Sequence, residues 1–168
     1  MKTIFYLALI LFILGINSCS NDKNKRVYYP NGIIKTLTIV NTESNMQKIE
    51  YDFFEDGELK EIKRYNNDHV LDGEQLSFFD NGKLEQKLQF KKGKANGCGY
   101  YFYNLNGTLK NTRYFRNDKQ VLYGADYWGN DSMNIIKATL HFNDSGHIYY
   151  KKNFSENGQF INEEGKNN

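Results

Sequence analysis

The sequence predicts an all-β fold: after an N-terminal signal helix, an antiparallel β-meander of about ten strands, built from hairpin repeats of 25 residues. Three observations predict it. A turn motif recurs as YYPNG, FFEDG, FFDNG and YNLNG, and its closing residues Gly32, Gly57, Gly82 and Gly107 stand 25 residues apart. Each motif ends in Asn-Gly or Asp-Gly, a strong hairpin signal, because a two-residue type I′ turn needs φ > 0 at both positions. A Leu (Leu59, Leu84, Leu109) follows the turn glycine by two residues, and an aromatic (Tyr65, Phe90, Phe115) follows it by eight. Both offsets are even, so Leu and aromatic are expected to share one face of a pleated strand and form the repeat core.

The first element is an address. Lys2 precedes an apolar run at residues 4–16, which Asn17-Ser18-Cys19 closes. Thirteen helical residues span about 20 Å, short of the roughly 30 Å hydrocarbon core, so residues 1–18 read as a secretory signal and not a membrane span. Ile16-Asn17-Ser18-Cys19 resembles a bacterial lipobox, which implies a diacylglycerol or acyl lipid on Cys19. Residues 19–27 then read as the lipidated Cys and a polar tether. Ser20 after Cys19 leans towards the outer membrane, and Asp22 alone is a weak surface-export signal.

Residues 28–160 carry the repeats. ELKEIKRY (58–65), KLEQKLQF (83–90) and TLKNTRYF (108–115) align as strands. The polar segments NNDH, KKGK and RNDK follow them as second turns, and the chain then returns to the next aromatic pair. Two strands and two turns fill 25 residues, which leaves no room for long helices. Asp131-Ser132 occupies the fifth turn in degenerate form. A strand over 135–142 and the turn NDSG make a shortened terminal unit. Gly158 lies outside the register, and residues 161–168 are expected to fray.

Lys91 to Gly107, KKGKANGCGYYFYNLNG, resembles a MORN repeat: an aromatic strand, a turn, a Gly-x-Gly step (Gly97-Cys98-Gly99) and a second aromatic strand. Copies that keep only the first Gly, such as YNNDHVLDGEQLSFFDNG with Gly73, are similar to the divergent MORN variant of bacterial YwqK-type antitoxins. The resemblance implies a repeat sheet that binds a partner. For the antitoxin type, that partner is a toxin to be neutralised.

Composition narrows the function classes. Aromatics at 15% with charged residues at 25% describe a globular chain. Basic residues (22) and acidic residues (20) nearly balance and are interspersed, which disfavours a nucleic-acid partner. With Cys19 lipidated, Cys98 is the one thiol left, so no intrachain disulfide is expected, and no base stands near it in sequence to make it a nucleophile. His69, His141 and His147 have no metal-ligand spacing. DFFEDGELKEIK places Phe54 and Lys63 where a calcium loop needs acids. Gly97-Cys98-Gly99 lacks the third glycine and the helix of a dinucleotide site, since Phe102 stands there. YYFY (100–103) reads as core and cross-strand packing more simply than as a base-stacking platform. Asp131-Ser132-Met133 resembles a short bacterial O-glycosylation site.

No catalytic residue, metal site or cofactor is therefore expected. The reading is an envelope lipoprotein, membrane-anchored through Cys19, whose repeats bind or scaffold another protein without catalysis. An immunity or antitoxin-type role is the alternative, and a glycan-binding or glycan-active protein stands behind both.

Overall fold

The computed structural model describes residues 24–40, 48–129 and 134–165. Cys19, the signal segment and Asp131-Ser132-Met133 lie outside the described residues. Among those residues there is no helix, and thirteen strands form a single open antiparallel sheet. The strands are β1 (Lys25–Tyr28), β2 (Ile34–Val40), β3 (Lys48–Phe53), β4 (Leu59–Tyr65), β5 (Gly73–Phe78), β6 (Leu84–Lys91), β7 (Lys94–Ala95), β8 (Gly97–Phe102), β9 (Leu109–Arg116), β10 (Lys119–Tyr127), β11 (Ile136–Phe142), β12 (Ile148–Phe154) and β13 (Phe160–Gly165). They pair in chain order, except that the two-residue β7 sits off the path against β6, and β8 continues the ladder. The expected meander is thus present with more strands than counted. β1 forms within the expected tether, and β13 occupies most of the expected frayed tail through Gly165.

The turns differ in type from the expectation. Gly32, Gly57, Gly82 and Gly107 have φ between 72° and 95°, but Asn31, Asp56, Asn81 and Asn106 are not left-handed. In the third hairpin the Gly82 N–H donates to the Phe79 carbonyl (3.0 Å), and the Phe79 N–H donates to the Lys83 carbonyl (2.9 Å). That is a three-residue loop: a type I turn followed by a glycine in the left-handed position, closing on a bulge. Asn-Gly suits it because Asn81 Oδ1 accepts from the Lys83 N–H (3.1 Å) while Gly82 supplies the positive φ. Gly158 has the same role at φ 81°, so it is a turn glycine and not a tail residue. The type I′ geometry occurs instead in the second turns, at Lys92-Gly93 and Asn117-Asp118, where both residues have positive φ.

The bulge decides which face each residue occupies. Phe53 pairs with Leu59 and Asp52 with Glu61, so Lys60 is the extra residue on β4. The same shift makes Lys35, Glu85, Lys110, Lys137 and Ile161 extra residues on their strands. An inserted residue reverses the parity beyond it. Leu59, Leu84 and Leu109 therefore pair with Phe53, Phe78 and Phe102 on one face, whereas Phe90 and Phe115 pair with Gly73 and Gly97 on the other. Tyr65 lies on that second face too, opposite Lys48. The expected shared Leu and aromatic core is corrected: the two sets stand on opposite faces.

With no second layer among the described residues, little of the sheet is enclosed. The buried hydrophobic residues are Ala95, Val121, Ala138, Leu140, Phe142 and Tyr150, mostly in the last third. Elsewhere cross-strand pairs hold the sheet. At the Gly-x-Gly step, a Cβ on Gly99 would lie 2.7 Å from Leu88 Cδ2 and 2.8 Å from a Phe115 ring carbon, so the two side chains close over the glycine.

Candidate interaction surface

The apolar face carries one continuous row along the turn margin. Its members are the cross-strand pairs Tyr28 with Ile34, Phe53 with Leu59, Phe78 with Leu84, Phe102 with Leu109, Tyr127 with Ile136, and Phe154 with Phe160. Each bulge maintains this row by fixing an aromatic opposite an aliphatic or aromatic residue just inside its turn. Further along the same face a depression of about 480 Å³ is lined in part by Tyr123, Tyr127, Thr139, His141 and Tyr150. The His141 ring meets Tyr150 edge-on at 5.3 Å between centroids.

The opposite face is polar near the N-terminus. Lys63 Nζ lies 2.8 Å from Asp52 Oδ2, 2.7 Å from Glu61 Oε2 and 3.9 Å from Glu50 Oε1. Thr36 Oγ1 donates to Asp52 Oδ1 (2.7 Å), and Gln75 donates to Glu61. Burial pushes the Asp52 carboxyl up, but the hydrogen bonds from Lys63 and Thr36 outweigh it and hold it below its usual value. Burial also opposes the charge on Lys63, and the hydrogen bonds to Asp52 and Glu61 raise its pKa nonetheless. Every charge in this cluster has a partner, so it ties β2 to β5 and offers no reactive group.

The bulge residues build a second row on the margin. Lys35 Nζ sits 5.6 Å over the Tyr29 ring, Lys60 5.6 Å over Phe54, Lys110 5.7 Å over Tyr103 and Lys137 4.7 Å over Trp128. Four hairpins thus each present an exposed ammonium above a half-buried ring. Glu85 takes the bulge position beside Phe79 and interrupts the row. The rings also link one hairpin to the next. Tyr29 hydroxyl donates to the Phe53 carbonyl (2.7 Å), Tyr103 hydroxyl to the Tyr127 carbonyl (3.2 Å) and Trp128 Nε1 to the Phe154 carbonyl (3.2 Å). The turn amides do the same, Asn31 Nδ2 to the Glu55 carbonyl (2.9 Å) and Asn106 Nδ2 to the Gly129 carbonyl (2.7 Å). Parity counting missed the lysine row. Its signal was a Lys three residues after Gly32, Gly57 and Gly107.

The other sequence candidates stay apart. Cys98 is half-buried and pairs across the ladder with Tyr114. His141 makes ring contacts with Tyr149 and Tyr150, and no metal-binding group of His, Cys, Asp or Glu occurs among the described residues.

Residues 71–92 match the profile of a known family, the MORN repeat variant. They span β5, its turn and β6, which is one hairpin of the series. No curated protein matches the chain. The neighbouring hairpins share the matched unit's spacing, turn glycine and bulge. The matched hairpin is thus similar to the MORN repeat variant, and its neighbours are built on the same plan.

Proposed function

We propose that this protein is a membrane-anchored lipoprotein of the bacterial cell envelope, held through Cys19, with the outer membrane favoured. Its sheet binds or scaffolds another protein, without catalysis and without a cofactor. The observation that carries this reading is the apolar row from Tyr28 to Phe160, a continuous hydrophobic stripe on a sheet with no second layer among the described residues. Most of its members are half-buried, with Tyr28, Ile136 and Phe160 exposed, and a contiguous hydrophobic row that nothing covers among the described residues suits an interaction surface. The lipobox-like Ile16-Asn17-Ser18-Cys19 supports the anchor.

Site-specific photo-cross-linking in intact cells tests the binding reading. A benzophenone side chain at Phe102 or Tyr127, on the apolar row, should give a discrete protein adduct, and one at Tyr101 on the opposite face should not. Adducts from Tyr101 alone, or from none of the three, would end the proposal. A captured protein whose toxicity this chain suppresses would replace scaffolding with the neutralising role.

The anchor has its own test. Cys19→Ala should release the protein from membranes or leave it unprocessed. Normal processing and normal membrane fractionation of that variant would remove the anchor from the proposal.

A further inference from the structure

Among the described residues β1 pairs only with β2 and β13 only with β12, so the sheet ends in two strand edges. All of β1 and all of β13 is exposed, and the two differ in charge: KRVY on β1, FINEEG on β13. An edge can be protected from pairing by charge of any sign. Opposite signs at the two ends protect each edge against its own kind and leave it complementary to the other.

The repeat register says how they would meet. Where the next turn is a three-residue loop, the residue four after a turn glycine pairs with the residue five before the next: Thr36 with Asp52 after Gly32, Glu61 with Ser77 after Gly57. Before the longer turn at Gly107 the offset is six, Gln86 with Tyr101, and the Gly32 turn is of the three-residue kind. Pairing then continues antiparallel, Leu37 with Tyr51 and Thr38 with Glu50. β13 follows the turn at Gly158 and carries the same bulge, at Ile161, that β2 and β4 carry. β1 precedes the turn at Gly32, as β3 precedes that at Gly57 and β5 that at Gly82. A β1 laid against β13 is thus in phase with the internal repeats. The rule sets Asn162 opposite Val27, Glu163 opposite Arg26 and Glu164 opposite Lys25. Tyr28, 54% exposed, then lands beside Phe160 and Ile161, 57% and 59% exposed, and the apolar row runs on from one chain into the next.

We infer that the partner of these edges is a second copy of this chain: β13 of one molecule pairs antiparallel with β1 of the next, head to tail, in the register of the internal repeats. The contact is heterologous, so each added copy leaves one β1 and one β13 edge at the ends, and growth stops only if the sheet's twist closes a ring. Cross-strand pairs of opposite charge favour it and like charges oppose it. The inference stands on the edges and does not depend on what covers the apolar face.

Sedimentation of the purified full chain in mild detergent tests it with two charge reversals. One variant carries Glu163→Lys and Glu164→Lys, the other Lys25→Glu and Arg26→Glu. The unaltered chain should show concentration-dependent species that pass beyond the dimer. Each variant alone sets like charges against like and should associate at least about tenfold more weakly. An equimolar mixture should recover the association, because each reversed edge then meets an opposite one, and that recovery also shows that both variants keep competent edges. A monomeric unaltered chain, a series that ends at the dimer, association that survives either reversal, or a mixture that stays dissociated would each overturn the inference.

Discussion

Asn106 Nδ2 donates to the carbonyl of Gly129 at 2.7 Å, while Asn106 Oδ1 accepts from the N–H of Thr108 at 3.1 Å. One side chain therefore closes its own turn and ties that turn to the next hairpin. Asn106→Asp keeps the acceptor and loses the donor, setting a carboxylate oxygen against a carbonyl. It should lower the urea midpoint by the equivalent of about 1 kcal/mol, as expected for one hydrogen bond. Asp56→Asn is the converse change: it supplies a donor at a turn where the side chain has none, and it should leave the midpoint unchanged or raise it.

Gly82→Val forces a β-branched residue into a left-handed position and should destabilise the domain by about 1–2 kcal/mol or more. Gly158→Val should cost a similar amount, because Gly158 occupies the same turn position at φ 81°. Denaturation of the two variants side by side checks this. A loss at Gly82 with none at Gly158 would show that the last hairpin is not held as the others are.

His69 stands at φ 59° in a turn where its N–H donates to the Asn66 carbonyl, the place glycine holds in the other loops of this kind. His69→Gly removes the left-handed strain but adds backbone entropy to the unfolded chain. The net should be a gain of no more than about 1 kcal/mol, and thermal midpoints read it directly.

The Asp52 carboxyl is held below its usual value in the fold, so the stability it contributes is present above the unfolded carboxyl pKa, near 3.9, and disappears as pH falls through the lower folded value. Lys63 remains charged across that window, because its pKa is raised. The unaltered protein should lose stability between about pH 5 and pH 2. Asp52→Asn should start less stable at neutral pH and lose less on acidification. The slope of urea midpoint against pH checks the difference.

The sheet, its hairpins and the four turn glycines were legible because each rests on a local pattern: spacing, a turn dipeptide, a strand too short to be a helix. The turn type was not, since Asn81-Gly82 satisfies both a two-residue loop and a three-residue one, and cross-strand register chooses between them. The faces followed from that choice. Counting by twos from Leu84 to Phe90 assumes an unbroken pleat, and Glu85, the inserted residue, reverses it. The lysine row was hidden for the same reason. Lys60 reads as an ordinary solvent position until the bulge turns it over Phe54. β13 was missed because INEEG has the composition of a tail, and only its partner β12 makes it a strand.

Every strand on the main path pairs only with its neighbours in the strand order. Adding or deleting one hairpin changes the sheet's width by two strand spacings, about 9–10 Å, with little enclosed interior to refit. A duplication of 25 residues in the gene would lengthen the protein by a fixed step and repeat its margin of rings and lysines. The width of such a sheet is therefore a matter of counting, and the chain is a yardstick graduated in hairpins.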